Sequence, residues 1–361
     1  MTVLANQTSA AAAAPAIVTR EHYEIVPVTE ISEAALAEFY HRVYSTRAAF
    51  LAAHWRWLYR VGEFAWAPAP QVAMVGQTVV GHLGAIPVFL QAGQEVRHAT
   101  WDLDFAVLPE YQRRKLGVNL LQALMKQSPL HVAFGNEKST NAVLRVGWRL
   151  NTQTRSFQLL LHPEYHPKFQ HPALAPVGWL GGLLTRLIWT ARTMANSKLT
   201  VAPATMDNLA RFAHQPVDET LHVVRSTEFL DWRVLRHPRA AEHCVLRYPV
   251  NATTEYALLA RRSEQQGYRR LHLLSLVAEP FDAAGLARCF ASVVRWCLDE
   301  EIHRVLFVTS RTAIAQVAQL WFPITGALQF LSYAHDSSGW DYLHSHPHHW
   351  ECLDADLDLY D

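Results

Sequence analysis

The sequence carries no excess of either charge. Its 361 residues hold 32 Lys and Arg against 32 Asp and Glu, which leaves no basic field to attract nucleic acid in bulk. Cysteine is scarce: Cys244, Cys289, Cys297 and Cys352 are the whole complement, with no CxxC spacing among them. Neither a disulfide framework nor a paired-cysteine metal site is expected. A secretory signal is missing as well, since the first residues have no basic n-region and 4–16 is mostly Ala, Ser and Thr. The expected compartment is the reducing cytoplasm. The most apolar stretch, within 173–192, is interrupted by Arg186 and Arg192, and its uncharged part is too short to span a bilayer. What remains is a globular composition, half apolar, with room for two domains.

One stretch states a chemistry. Residues 100–127 read TWDLDFAVLPEYQRRKLGVNLLQALMKQ. Trp101, Leu103, Phe105 and Val107 alternate with Asp102 and Asp104, the period of a strand with both aspartates on one face. Pro109 has no N–H to continue the pairing and ends it. Leu116, Leu120, Leu121, Leu124 and Met125 then recur at helical spacing, so a helix is expected to start near Gly117. Strand, tight turn and helix start point several unpaired backbone N–H groups at one spot, where Arg113, Arg114 and Lys115 add positive charge. By its parts this is a phosphate cradle. It is neither a Walker loop, for want of the Lys-Ser/Thr ending, nor the dinucleotide fingerprint. The plain alternative is an ordinary strand–turn–helix with a solvated basic turn.

The order of parts resembles the acyl-CoA-binding motif of the GNAT acyltransferase superfamily. There a Val-x-Pro-x-Tyr strand end is followed by Gln/Arg-x-x-Gly-x-Gly/Ala and a helix that receives the pyrophosphate of coenzyme A. Val107, Pro109, Tyr111, Gln112 and Gly117 match in place. Lys115 stands where the first glycine usually sits, a position a lysine follows if its φ stays negative. The block AFGNEKSTNAVLRVGW at 133–148 is similar to a second family segment: strand, Asn-containing loop, a helix over 141–146, then Gly147 and Trp148.

The resemblance implies acetyl-CoA or another acyl-CoA as cofactor. It would be held by Ala106, Val107, Gln112, Arg113, Arg114, Lys115, Leu116, Gly117 and Val118, with Asn136 and Ser139 in the loop on its pantetheine or adenine side. The family's carboxylate base falls near Asp102 and Asp104, for which solvent-facing or capping roles are the alternative. Val143 occupies the position of the family's tyrosine acid, which leaves that role to His131, Tyr111 or solvent.

Along the chain, 1–20 reads as a disordered alanine-rich tail. A first GNAT-like domain spans 21–161, closed by a strand at 157–161. The apolar linker 162–200 is expected to form a helix packed on both halves; the alternative is a helix lying on a membrane or covering an apolar substrate. From 201 the order helix, three strands, helix, strand, helix, strand repeats that of the first half. The phosphate-turn residues do not repeat, because Val277, Ala278, Glu279, Pro280, Phe281 and Asp282 stand there. This resembles the degenerate second half of tandem-GNAT proteins and gives a second domain at 201–345. The end, 346–361, reads as a His-rich and acidic surface tail, and no metal site is expected from its histidines.

The expected fold class is α/β (α+β): two GNAT-like domains in tandem, each a mixed, mostly antiparallel sheet flanked by helices. The expected activity is transfer of an acyl group, acetyl first, to the amino group of a small-molecule or sugar-like acceptor lying between the halves. Two rivals stand beside it. A Fem-type transferase would use aminoacyl-tRNA, against which the neutral charge argues. A fold that binds CoA or a partner without turnover is the other.

Overall fold

The computed structural model describes residues 22–354, apart from 136, 152–153, 166–168, 170, 172, 197–198 and 214–218. The expected tail at 1–20, the predicted ligand-loop residue Asn136 and the acidic end from 355 lie outside the described residues.

The first half comprises β1 (Glu24–Pro27), α1 (Glu33–Val43), α2 (Ala48–Leu58), β2 (Gln71–Val75), β3 (Thr78–Ala92), β4 (Glu95–Val107), α3 (Leu116–Met125), β5 (Leu130–Gly135), α4 (Glu137–Leu144), β6 (Arg149–Asn151) and β7 (Arg155–Leu160). Ser32 caps α1 by accepting the Ala35 N–H at 3.2 Å, and Leu36, Phe39 and Tyr40 turn inward. α3 starts at Leu116 and buries the five apolar residues that announced it. α4 begins at Glu137 rather than at 141, because its first turn is polar and carries no apolar period.

The chain continues through α5 (Ala175–Thr193), β8 (Thr200–Pro203), α6 (Met206–Leu209), β9 (Leu221–Val223), α7 (Thr227–Leu230), β10 (His243–Pro249), β11 (Glu255–Gln265) and β12 (Tyr268–Val277). It ends with α8 (Ala283–Asp299), β13 (Arg304–Thr309), α9 (Thr312–Trp321), β14 (Ile324–Ala327), β15 (Gln329–Ala334), α10 (Ser337–His344) and β16 (His348–His349).

Two sheets share one plan. The first runs β1-β2-β3-β4-β5-β15-β6, with β9 also on β3 and β16 on β9; the second runs β8-β10-β11-β12-β13-β7-β14. Along each run one central pair is parallel, β4 with β5 and β12 with β13. Each sheet also takes a strand from the other half: β15 lies between β5 and β6, and β7 between β13 and β14. The strand expected to close the first domain therefore lies inside the second sheet instead, between β13 and β14. The last strand expected in the second half is two strands, β14 and β15, one per sheet. Period-2 alternation marks a strand but carries no information on a non-local partner. The predicted class holds: a mixed α/β chain with two mostly antiparallel sheets flanked by helices.

Of the segment expected to be a surface tail, the described part, 346–354, is built into the core. Trp350 is fully buried against Trp101 and Phe330, and Glu351 and Asp354 are buried with it. Arg225 explains this: its guanidinium meets Glu351 at 2.8 Å and Asp354 at 2.6 Å, so the two buried acids are paired rather than solvated. α5 packs on α8 and on the turn Pro163–Tyr165, with Trp189 against Trp321 of α9.

Candidate functional site

The site begins where a sheet comes apart. β4 and β5 pair only at Thr100 with His131 and Trp101 with Val132. Beyond these residues β4 bulges: Asp104 has φ +53°, and the register against β3 shifts between His82 and Gly84. β5 meanwhile pairs with β15 on its other side. A cavity of about 130 Å³ opens in the gap, lined among others by Tyr44, Asp102, Asp104, Phe105, Phe134, Gly135, Ser139, Val143 and Trp148. It is a wedge with backbone of β4 along one wall.

The turn that follows β4 leads straight to α3. Gln112 is held by its Nε2–H, which donates to the Val107 carbonyl at 3.0 Å. Arg113 (φ +64°) and Lys115 (φ +62°) both adopt left-handed backbone, so the expected negative φ at Lys115 is corrected. The reversal into α3 needs that conformation, and a lysine carries it at a cost of about 1 kcal/mol or more. The first bond of α3 runs from Asn119 N–H to Lys115 C=O, which leaves the N–H groups of Leu116, Gly117 and Val118 free of the helix ladder. No side chain caps this helix, and residues 112–115 are exposed. Arg114 lies 5.4 Å from the Tyr111 ring centroid. Gly117 is fixed by packing: a Cβ there would stand 2.9 Å from the Phe105 ring. Since Phe105 also lines the wedge, turn and cavity share a wall.

The bulge separates the two aspartates that strand alternation had put on one face. Asp102 meets His131, whose Nδ1 lies 3.1 and 3.2 Å from the two carboxylate oxygens. The other ring nitrogen, Nε2, is 3.1 Å from the Ser128 carbonyl. A carbonyl only accepts, so Nε2 carries a hydrogen, and Nδ1 stands between the Asp102 carboxylate and the Thr100 hydroxyl, whose O–H can be donated to it. Asp102 and His131 thus form a buried pair beside the wedge. Thr100 Oγ1 adds a contact to the same Nδ1 at 2.7 Å.

Asp104 looks the other way. Arg47 pairs with it at 2.8 Å and the Tyr59 hydroxyl donates to it at 2.9 Å. Its main-chain carbonyl accepts from His82 Nδ1 at 3.1 Å, while His82 Nε2 faces the Tyr40 hydroxyl at 3.2 Å. Burial pushes the His82 imidazole down to about 4 and drives the Tyr40 and Tyr59 phenols up. This network is neutral apart from its one ion pair.

The second sheet has the same wedge, filled. β12 and β13 pair over 270–273 with 304–307 and then separate. Glu351 bridges to Thr309, accepts the Ser275 hydroxyl at 2.6 Å and takes the Leu276 N–H at 3.3 Å. Ser310 N–H donates to the Trp350 carbonyl at 3.2 Å. At the start of α8, Asp282 accepts from Ala284 N–H at 3.1 Å and Gly285 N–H at 2.8 Å. The chain supplies its own occupant for both places.

Residues 29–144 match the model of the acetyltransferase (GNAT) family, and this part of the chain is a GNAT domain. Nothing among curated proteins matches the sequence. Solved structures share the fold across both halves. A GCN5-related N-acetyltransferase from Kribbella flavida superimposes with a TM-score of 0.54 at 14% identity, covering 88% of this chain and 72% of that one. One from Anabaena variabilis gives 0.52 at 10%, with 87% and 73% covered. Saccharomyces cerevisiae N-myristoyltransferase with bound myristoyl-CoA gives 0.55 at 11%, with 89% and 85% covered.

Of the residues singled out from sequence, Asp102, Asp104 and Ser139 line the cavity. Ala106 and Val107 continue β4 past the bulge, and 112–118 form the turn and the start of α3. Sequence reasoning missed Tyr44, Arg47, Tyr59 and His82. His82 did leave a signal, as the one ring nitrogen donor inside the apolar run of β3; Tyr44, Arg47 and Tyr59 lie near in space only, and nothing local marks them.

Proposed function

We propose that the chain transfers an acyl group from acyl-CoA to an amino group of a small acceptor. The observation that carries this reading is the join of the β4–β5 wedge to an uncapped, basic helix start by one shared residue, Phe105. The pantetheine arm of coenzyme A would lie along the free edge of β4 at Ala106 and Val107, its amides pairing there as a missing strand would. The pyrophosphate would meet the N–H groups of Leu116, Gly117 and Val118, with Gln112, Arg113, Arg114 and Lys115 around it. The thioester then falls in the wedge. A space of about 130 Å³ is a few water volumes, which favours acetyl or another short acyl group.

For transfer, the acceptor amine attacks the thioester carbonyl and loses a proton, the C–S bond breaks, and the departing CoA thiolate takes up a proton from solvent to leave as the thiol. Asp102 with His131 takes the amine proton in this reading. Asp104, committed to Arg47 and Tyr59, holds the wall of the wedge. The first half, up to the end of β6, binds the cofactor, and the second supports the acceptor side. The division after β6, with β7 given to the second sheet, and the boundaries of the linker and second half belong to the same proposal.

Thermal shift with acetyl-CoA, longer acyl-CoAs and free CoA tests it, repeated on Arg114→Glu. Stabilisation by mass action that drops by at least about tenfold in apparent affinity in the variant supports a phosphate on this turn. Failure of every CoA species to raise the melting temperature of the native chain sinks the reading.

A further inference from the structure

α5 is turned inside out. A surface helix ordinarily buries its apolar stripe and shows polar residues to water. Here Val177, Leu180, Leu184, Leu187 and Ile188 recur at three- and four-residue spacing on the outward face, each 51–62% exposed. The inward face is made of Gly178, Gly182, Trp189 and Thr193. The glycines fix that orientation: a Cβ at Gly178 would stand 2.7 Å from the Phe169 side chain, and one at Gly182 would overlap the Glu164 carboxylate. Both arginines avoid the outward stripe. Arg186 reaches Glu164 at 3.2 Å, and Arg192 folds over Trp189 and Trp321 at 4.9 and 4.4 Å.

Charge says what covers this face. In a chain with 32 residues of each sign, 164–206 contains Lys168, Arg186, Arg192 and Lys198 against one acid, Glu164, which pairs with Arg186. We propose that α5 lies in the plane of an anionic lipid surface, its aliphatic stripe in the acyl boundary and the flanking cations at the headgroups. Among the described residues no helix is long and apolar enough to cross a membrane, so the helix rests on the surface. Trp179, 60% exposed beside the stripe, has the apolar body and N–H tip that suit this boundary. A second copy of the chain fits less well, because it would bring two segments of net positive charge together. This inference stands apart from the acyl-transfer reading.

The test is flotation of the full chain with vesicles of phosphatidylcholine alone and of phosphatidylcholine with one-third phosphatidylglycerol. Binding to the anionic vesicles is expected, weaker by on the order of fivefold for each cation screened or removed and reduced at least about tenfold in Leu184→Glu/Ile188→Glu. Leu184→Ser/Ile188→Ser should also weaken it, and thermal melting of both variants checks that they fold. Flotation with neither vesicle composition overturns the proposal. So does binding that both double variants retain while melting normally. A concentration-dependent dimer that Leu184→Glu/Ile188→Glu dissociates, without flotation of the native chain, assigns the face to a second copy instead.

Discussion

The two sheets are built alike, yet one parallel pair is open and the other is closed. β4 and β5 part around a cavity, and α3 follows with a bare, basic N-terminus. β12 and β13 part around Glu351, and α8 follows with Asp282 across its first N–H groups. In the second half a carboxylate stands in the gap and another caps the helix, where the first half has a cavity and an uncapped helix start. The capacity to hold a ligand therefore depends on what fills the gap and what caps the helix, since both halves have the fold. Breaking this comparison means changing one half and reading the other.

The largest effect is expected at the open wedge. Asp102→Asn removes the proton acceptor but keeps the shape, so kcat should fall about 10²–10⁴-fold while the stabilisation by acyl-CoA persists. A loss confined to KM for acyl-CoA would make Asp102 part of cofactor binding and leave the base unassigned. Steady-state kinetics beside thermal shift separate the two.

At the closed wedge the effect falls on stability. Burial alone would raise the Glu351 carboxyl, but Arg225, His349 and the Ser275 hydroxyl outweigh it and hold it at about 2. A carboxyl with a folded pKa below its unfolded value, ~4.3, adds stability above that value and loses it as pH falls toward 2. Over that window Glu351 is expected to account for up to about 3 kcal/mol. Urea midpoints taken at steps between pH 5 and pH 2 should fall less steeply in Glu351→Gln than in the native chain. Equal slopes would place the acid sensitivity in other carboxylates.

How much of this was legible in the sequence follows from the range of each signal. The turn at 107–117 was readable because strand, proline, cations and helix are consecutive, and α3 starts within a residue of its expected place. The bulge at Asp104 was not readable: an alternating pattern gives no hint of a positive φ, so Asp102 and Asp104 were given a common face they do not share. Strand exchange escaped for a related reason, since 155–160 and 329–334 look like any strands until their partners are known. The segment 346–354 was misread because its histidines and acids are polar. Their burial depends on Arg225, more than a hundred residues upstream.

Asp282 supplies a smaller and sharper test. Asp282→Ala should cost about 1 kcal/mol, the usual worth of an N-cap, and leave acyl-CoA binding untouched, because the capped helix belongs to the closed half. Differential scanning calorimetry with and without acyl-CoA reads both. A change in CoA affinity would mean that the second helix start takes part in the site.

The smallest effect is expected at Lys115, where the two requirements of the open turn conflict. Left-handed backbone at φ +62° suits glycine, so Lys115→Gly should relieve strain and stabilise the chain by about 0.5–1 kcal/mol. The same substitution removes a cation from the helix start and should weaken acyl-CoA binding by a few-fold, the scale of one exposed charge near a helix dipole. The two outcomes have opposite signs, so one variant measured for melting temperature alone and for shift with acyl-CoA weighs them against each other. Higher stability with weaker binding means that lysine is kept here for the ligand. Higher stability with unchanged binding would show that the backbone amides of α3 suffice and that the charge at 115 faces only water.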